Sequence, residues 1–289
     1  MEQILNIYLS DLEQQNFSIK TIKTYKNNIR ILIRHLNSIG ITDIEQISPL
    51  HIKSFIAFKR ENSCSAVYIN NLLKCYRPFF NFCVDMEYIE VNPMQKIKNL
   101  KAPKPIIQTF NDTEAKSMME YYRGSDFLSI RNKTIVMLLF ESGIRANELC
   151  NIKLCDFMQT YILINGKGSK QRIAPISMQL LKQLNKYIRY RSRQFKEPTN
   201  DYLFLSRNNR KLTVEMLEVI IRDCGRSVNI RREVRCSPHT IRHYYANQQI
   251  LKGTDIYTLS LLLGHNSVEV TQTYLKSLNK NLVVLNSIK

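Results

Sequence analysis

The chain has 289 residues, 44% hydrophobic and 23% charged, which suits one large or two modest domains that bury their own cores. Its 42 Lys and Arg against 24 Asp and Glu leave a net charge of +18, a surplus that suits a polyanion, nucleic acid first. Seven cysteines without a C-x-x-C pair argue against a disulfide framework and a four-cysteine zinc site. The acidic start and the lack of a long apolar run argue against a signal peptide and a membrane span, so a cytoplasmic, reducing location is expected.

From the start to about residue 90 the pattern is helical. Ile4, Leu5, Tyr8, Leu9 and Leu12 make one apolar face. Ile22, Tyr25, Ile29, Leu32, Ile33 and Leu36 make a second, ended by Gly40. Ser48 and Pro49 open a third helix, and a fourth is expected over about 66–86. Residues 1–97 therefore read as a helical domain. The basic, proline-containing stretch 98–108, in "KNLKAPKPIIQTFN", reads as a linker.

Residues 109–289 read as a mixed domain. Asn111 or Asp112 caps one helix, and "IRNKTIVMLLFESG" is a buried helix ended by Gly143. "TYILING" and "QRIAPI" flank Gly-Lys-Gly as a β-hairpin, and helices follow from about residue 177. Thirteen of the eighteen surplus charges fall in 105–289 and five in 1–104, so both parts suit one polyanion, as a clamp around a duplex would.

Four segments of the second part carry unusual polar residues. In "ESGIRANELCNI", Arg145 sits at a turn with Glu148 three residues on; the pair aims a cation at an anion, or is an ordinary surface pair. Lys167 lies between glycines at the hairpin tip, a mobile cation or a plain charged turn. Tyr161 and Gly168 occupy positions where a nucleotide-binding P-loop needs Gly and Ser/Thr, which rules that motif out. "SPHTIRHYYAN" sets His239 and Arg242 on one face of a helix capped by Ser237 and started by Pro238, at the end that favours anions. His239 and His243 are four apart like a metal pair, but Thr240 stands where a zinc protease needs Glu, and no metal is expected. In "LLLGHNSVEVTQTYLK", His265 follows Gly264 and Tyr274 comes nine residues later.

In order and spacing these segments resemble the catalytic set of the tyrosine recombinases, the phage integrase family. Arg145, Lys167, His239, Arg242, His265 and Tyr274 match, with Glu148 in support; Ala146 departs from the usual Ser. The motifs span about 140–276 and the helical region before them fits the family's core-binding domain. The resemblance implies a mainly α fold with a small antiparallel β-sheet: an N-terminal helical, SAM-like core-binding domain and a mixed α/β catalytic domain. It implies that Tyr274 attacks a DNA phosphate held by Arg145 and Arg242, with His239 handling the proton, Lys167 protonating the leaving oxygen and His265 bonding the phosphate, without cofactor or metal. The implied partners are double-stranded DNA with inverted-repeat sites and a homo-tetramer passing through a Holliday junction, with room for a paralogous partner recombinase. The tail from residue 278, with Leu278, Leu282 and Val283, is expected to dock on a neighbouring subunit. The chain opens on the helical domain, so a short Xer-type or transposon-type member without an arm-binding domain is expected, in a bacterial cytoplasm. Type IB topoisomerase relaxation and a non-catalytic DNA-binding regulator are the alternatives. Expected DNA contacts are Lys170, Arg172, Arg191, Arg193, Arg231, Arg232 and Arg235, drawn from the basic segments.

Overall fold

The computed structural model describes residues 1–103, 108–166, 171–195, 200–264 and 271. The chain divides into two units, Met1–Pro105 and Ile106–Lys289.

The first unit is built from α1 (Glu2–Gln14), α2 (Ile19–Ser38), α3 (Pro49–Glu61) and α4 (Ala66–Asp85). Two serine N-caps set the longest helices: the side chains of Ser18 and Ser65 accept from the main-chain N–H of Thr21 and Tyr68. The apolar faces meet in one core that includes Leu5, Tyr8, Ile29, Leu36, Phe55, Tyr76 and Phe80, each large side chain stabilising by roughly 1.5–3 kcal/mol on burial. Pro78 lies inside α4, where a proline removes a main-chain donor and favours a break. The helix continues because Phe79 and Phe80, on its next two positions, are fully buried.

The linker expected over 98–108 starts later than its composition suggests. Asn70 of α4 donates to the Leu100 carbonyl and accepts from the Leu100 N–H, both at 2.9 Å. Arg77 bonds the Ile97 carbonyl at 3.0 Å. Residues 97–100 thus belong to the first unit, and Lys98 among them is exposed.

The second unit contains α5 (Asp112–Tyr121), α6 (Phe127–Ser142), α7 (Ala146–Asn151), β1 (Tyr161–Asn165), β2 (Gln171–Pro175), α8 (Met178–Gln194), α9 (Val214–Ser227), α10 (Pro238–Leu251) and α11 (Ile256–Leu263). The two strands pair antiparallel, with Tyr161 opposite Pro175 and Asn165 opposite Gln171. Helix α6 is buried on nearly every side, as its almost unbroken apolar sequence requires, with α5, α8 and α10 packed around it. A small separate cluster of Tyr245, Ala246, Leu259 and Leu263 joins α10 to α11. That joint sets where the carboxyl end of α11 falls. No described helix is long and apolar enough to cross a membrane.

Candidate active site

Two helices of the second unit end on glycines in the left-handed conformation: Gly143 after α6 (φ 57°) and Gly264 after α11 (φ 64°). Only glycine adopts this without strain, and at Gly143 space forbids anything else, since an added Cβ would collide with the Tyr245 ring. The last carbonyls of a helix have no partner within it and carry the negative end of its dipole. Here they are taken by arginines. Arg242 of α10 donates to the Gly143 and Leu263 carbonyls, both at 2.7 Å. Arg145, the N-cap of α7, donates to the Gly264 carbonyl at 2.9 Å. Arg172 of β2 donates to the Leu262 carbonyl at 2.9 Å. Three consecutive carbonyls at the end of α11, those of Leu262, Leu263 and the capping Gly264, therefore hold three arginines from three elements.

Glu148 completes the cluster. Its Oε1 accepts from Arg145 Nη1 and its Oε2 from Arg172 Nη2, each at 2.8 Å, and Oε2 also accepts from the Arg145 main-chain N–H at 2.9 Å. Burial alone would raise this carboxyl, but the hydrogen bonds and charge of Arg172, with the bonds from Arg145, outweigh it and hold the pKa below the ordinary carboxylate value. Glu148 stays ionised, and one negative charge sits among three positive ones. Arg242 is 3% exposed, whereas the Arg145 side chain is 42% exposed. Among the described residues, the Arg145 guanidinium uses two of its N–H groups, which leaves about three of five for a ligand.

The Ser237 side chain accepts from the Thr240 N–H and Pro238 opens α10, so His239 lies in the first turn. His239 Nε2 lies 3.0 Å from His243 Nε2, with the rings nearly perpendicular. Burial, then the charges of His239 and Arg242, push His243 down to about 4. Partial burial of its ring, on a residue that stays exposed at the surface, then Arg242 and Arg235, lower His239 as well. At neutral pH the pair is uncharged and able to accept a proton. The arrangement can grip a small tetrahedral anion and take up a proton beside it. Among the described residues no group of three or more His, Cys, Asp or Glu is arranged to hold a metal ion.

The pattern of the phage integrase family matches residues 108–281, and that of the phage integrase N-terminal SAM-like domain matches residues 5–86. The chain belongs to the phage integrase family. Tyrosine recombinase XerA of Pyrococcus horikoshii is 30% identical over 264 residues, covering 89% of this chain and 85% of that protein. Tyrosine recombinase XerC of Anoxybacillus flavithermus is 29% identical over 277 residues, covering 93% and 91%. Among solved structures, the XerH site-specific recombinase bound to a palindromic difH substrate superposes with a TM-score of 0.79 at 21% identity, covering 97% of this chain and 84% of that one. The mainly helical fold with its two-stranded sheet and SAM-like first domain is that of the tyrosine recombinases.

In this tyrosine recombinase the structure brings together Arg145, Glu148, Arg242 and His239 from the expected set. Lys167, Lys170, His265, Tyr274 and the tail from 278 lie outside the described residues. The expected DNA contacts divide. Arg191 is 2% exposed and bonds the Asn200 and Tyr202 carbonyls at 2.6 and 3.1 Å, and the Arg172 side chain is 10% exposed. Both act as internal struts: Arg191 bonds main-chain carbonyls through Nη2, and Arg172 bonds the Leu262 carbonyl and Glu148 through Nε and Nη2. Arg231 is exposed but paired with Glu114 at 2.8 Å. Arg193, Arg232 and Arg235 are exposed, with Arg193 over the Tyr190 ring at 5.8 Å.

Sequence reasoning missed His243 as the neighbour of His239, although the four-residue spacing that suggested a metal pair already put the rings side by side. It also missed Arg172 as a strut. Strand parity carried that signal: position 172 shares a face with the buried Ala174, two residues on.

Proposed function

We propose that this site-specific DNA recombinase cuts and rejoins duplex DNA at the α7–α10–α11 site, with Arg145 and Arg242 binding the scissile phosphate and Tyr274 attacking it. The observation that carries the reading is the pair of bonds from Arg145 and Arg242 to the consecutive carbonyls of Gly264 and Leu263. Two guanidinium groups from distant parts of the chain are thereby set side by side before any DNA arrives. Attack on a phosphodiester builds charge on its two non-bridging oxygens, and donors fixed at that place favour the transition state over the ground state.

The Tyr274 hydroxyl oxygen forms the new bond to phosphorus while the bond from phosphorus to the 5′-oxygen breaks. The phenolic proton goes to His239, whose lowered pKa keeps it an uncharged base, and Lys167 donates a proton to the departing 5′-oxygen. The products are a 3′-phosphotyrosine and a free 5′-hydroxyl. Because the phosphodiester is exchanged and not hydrolysed, a 5′-hydroxyl of another strand reverses the step and no external energy is needed. His265 adds a bond to the phosphate. One site cuts one strand, so exchange between two duplexes needs four sites, a tetramer on inverted-repeat DNA passing through a Holliday junction, with the tail from 278 docked on a neighbour. The basic second unit and the exposed Arg193, Arg232 and Arg235 suit the DNA channel.

The test is covalent trapping on a nicked suicide duplex. The parent protein is expected to form an adduct and Tyr274→Phe none. An adduct that survives in the variant sinks the assignment and moves the nucleophile elsewhere. Of the alternatives Tyr244, Tyr245 and Tyr257, Tyr244 donates to Asp112 at 2.9 Å, burial raises Tyr245 above the ordinary tyrosine value, and the exposed Tyr257 is the one to test next.

A further inference from the structure

Arg172 touches both Glu148 and the end of α11. Its Nε and Nη2 lie on the same edge of the guanidinium, and that edge spans the Leu262 carbonyl of α11 and Glu148 Oε2 of α7. Arg145 is held at the same two places, by Glu148 Oε1 and the Gly264 carbonyl. Helices α7 and α11 are thus joined at this point by two parallel arginine bridges, one enclosed and one open to solvent. The enclosed bridge also sets the identity of residue 264. A Cβ there would lie 3.0 Å from Arg172 Cδ and 3.3 Å from its Nε, so the stem of Arg172 fills the room a side chain would need.

We infer that Arg172 is a positioning residue for DNA cleavage: it locks Glu148 to the end of α11 and so fixes the distance between Arg145 and Arg242. This rests on the reading of Arg145 and Arg242 as the phosphate-binding pair. Without Arg172, the two anchors of Arg145 belong to helices free to shift against each other, and a displacement of about 1 Å at a reacting centre costs about 10²-fold in rate. A lysine keeps the charge but has one nitrogen, so it cannot hold a carbonyl and a carboxylate in one rigid fork.

Arg172→Met and Arg172→Lys, made in the full chain, are compared with the parent by single-turnover cleavage of a suicide duplex, DNA affinity and thermal melting. The Met variant is expected to cleave about 10–100-fold more slowly at saturating DNA, with affinity within about twofold of the parent. The Lys variant recovers part of the rate. Glu148→Gln combined with Arg172→Met is no slower than the slower single variant, because both break the same bridge. Gly264→Ala reproduces the loss of rate at unchanged affinity. A folded Met variant that cleaves at the parental rate overturns the inference, as do a rate loss matched by an affinity loss and a double variant whose defects multiply. If Met prevents folding, parental cleavage by the Lys variant overturns it equally. Arg145→Ala, run alongside, separates the two claims: parental cleavage there sinks the phosphate-binding reading itself, whatever Arg172 does.

Discussion

In the first unit Asn92 is the one buried polar residue among those described, whereas the second unit buries Arg131, Glu148, Arg191, Arg242 and His243. The first is a conventional apolar core, and its helices need only periodic hydrophobic faces and caps. The second carries groups whose burial is costly unless each is hydrogen-bonded, and it meets that demand with main-chain carbonyls. Arg131 bonds the Leu205 carbonyl at 2.8 Å, and Arg191 bonds those of Asn200 and Tyr202. These two fasten the 200–205 segment and lie apart from the helix-end cluster. A buried cation therefore does not by itself mark a site. What sets Arg242 apart is that its acceptors lie beside those of two other arginines.

The contrast predicts different failures. Arg242→Met should cut the cleavage rate roughly 10²–10³-fold, and also destabilise the second unit by about 2–4 kcal/mol through the orphaned Gly143 and Leu263 carbonyls. Phe80→Ala should cost the first unit about 3–5 kcal/mol, while cleavage at saturating DNA and low temperature stays near the parental rate. Single-turnover kinetics and calorimetry check both; equal rate losses would erase the distinction.

A smaller effect separates the units by pH. His243 titrates at about 4 in the folded state against an ordinary 6.5. A group depressed on folding stabilises above its unfolded pKa, and that contribution is lost as pH falls toward the folded value. The second unit should therefore lose at most about 3 kcal/mol between pH 6.5 and 4 from this source. In the first unit, burial and Lys59 lower His35 too, on a ring that is only half-buried. Melting curves across this range should show a slope for the second unit that His243→Gln flattens; an unchanged slope would assign the dependence to other groups.

The smallest expected effect is a matched pair of helix caps. Ser65→Ala and Ser237→Ala each remove a side-chain acceptor from a main-chain N–H at 3.2 Å and should each cost about 1 kcal/mol. Only Ser237→Ala should also slow cleavage, since its helix carries His239 in the first turn. Equal kinetics for the two variants would mean that the cap does not position that ring.

Much of the fold was legible because it depends on side-chain type and spacing. The apolar stripe of α2, the Ser48–Pro49 start of α3, the Asn111 cap and the Gly143 stop all correspond to observed boundaries. Pro78 is the opposite case, a local signal overruled by the burial around it. In the site, Arg145, Glu148, His239 and Arg242 were legible through their order and spacing. Their common anchor was not, because the acceptors on Leu262, Leu263 and Gly264 are main-chain carbonyls, which every residue has and no motif records. The same blindness covers Arg172 and Arg191: a basic run does not say which member turns inward to find a carbonyl.

That anchor has a mechanical consequence. Successive residues of a helix advance by about 1.5 Å, so the end of α11 acts as a ruler on which three cationic groups are read off in adjacent marks. Drift of α11 pulls on all of them at once, and their second anchors, Gly143 for Arg242 and Glu148 for Arg145 and Arg172, resist it. The spacing of the marks, the quantity a tetrahedral phosphorus would sense, is thus held from both sides.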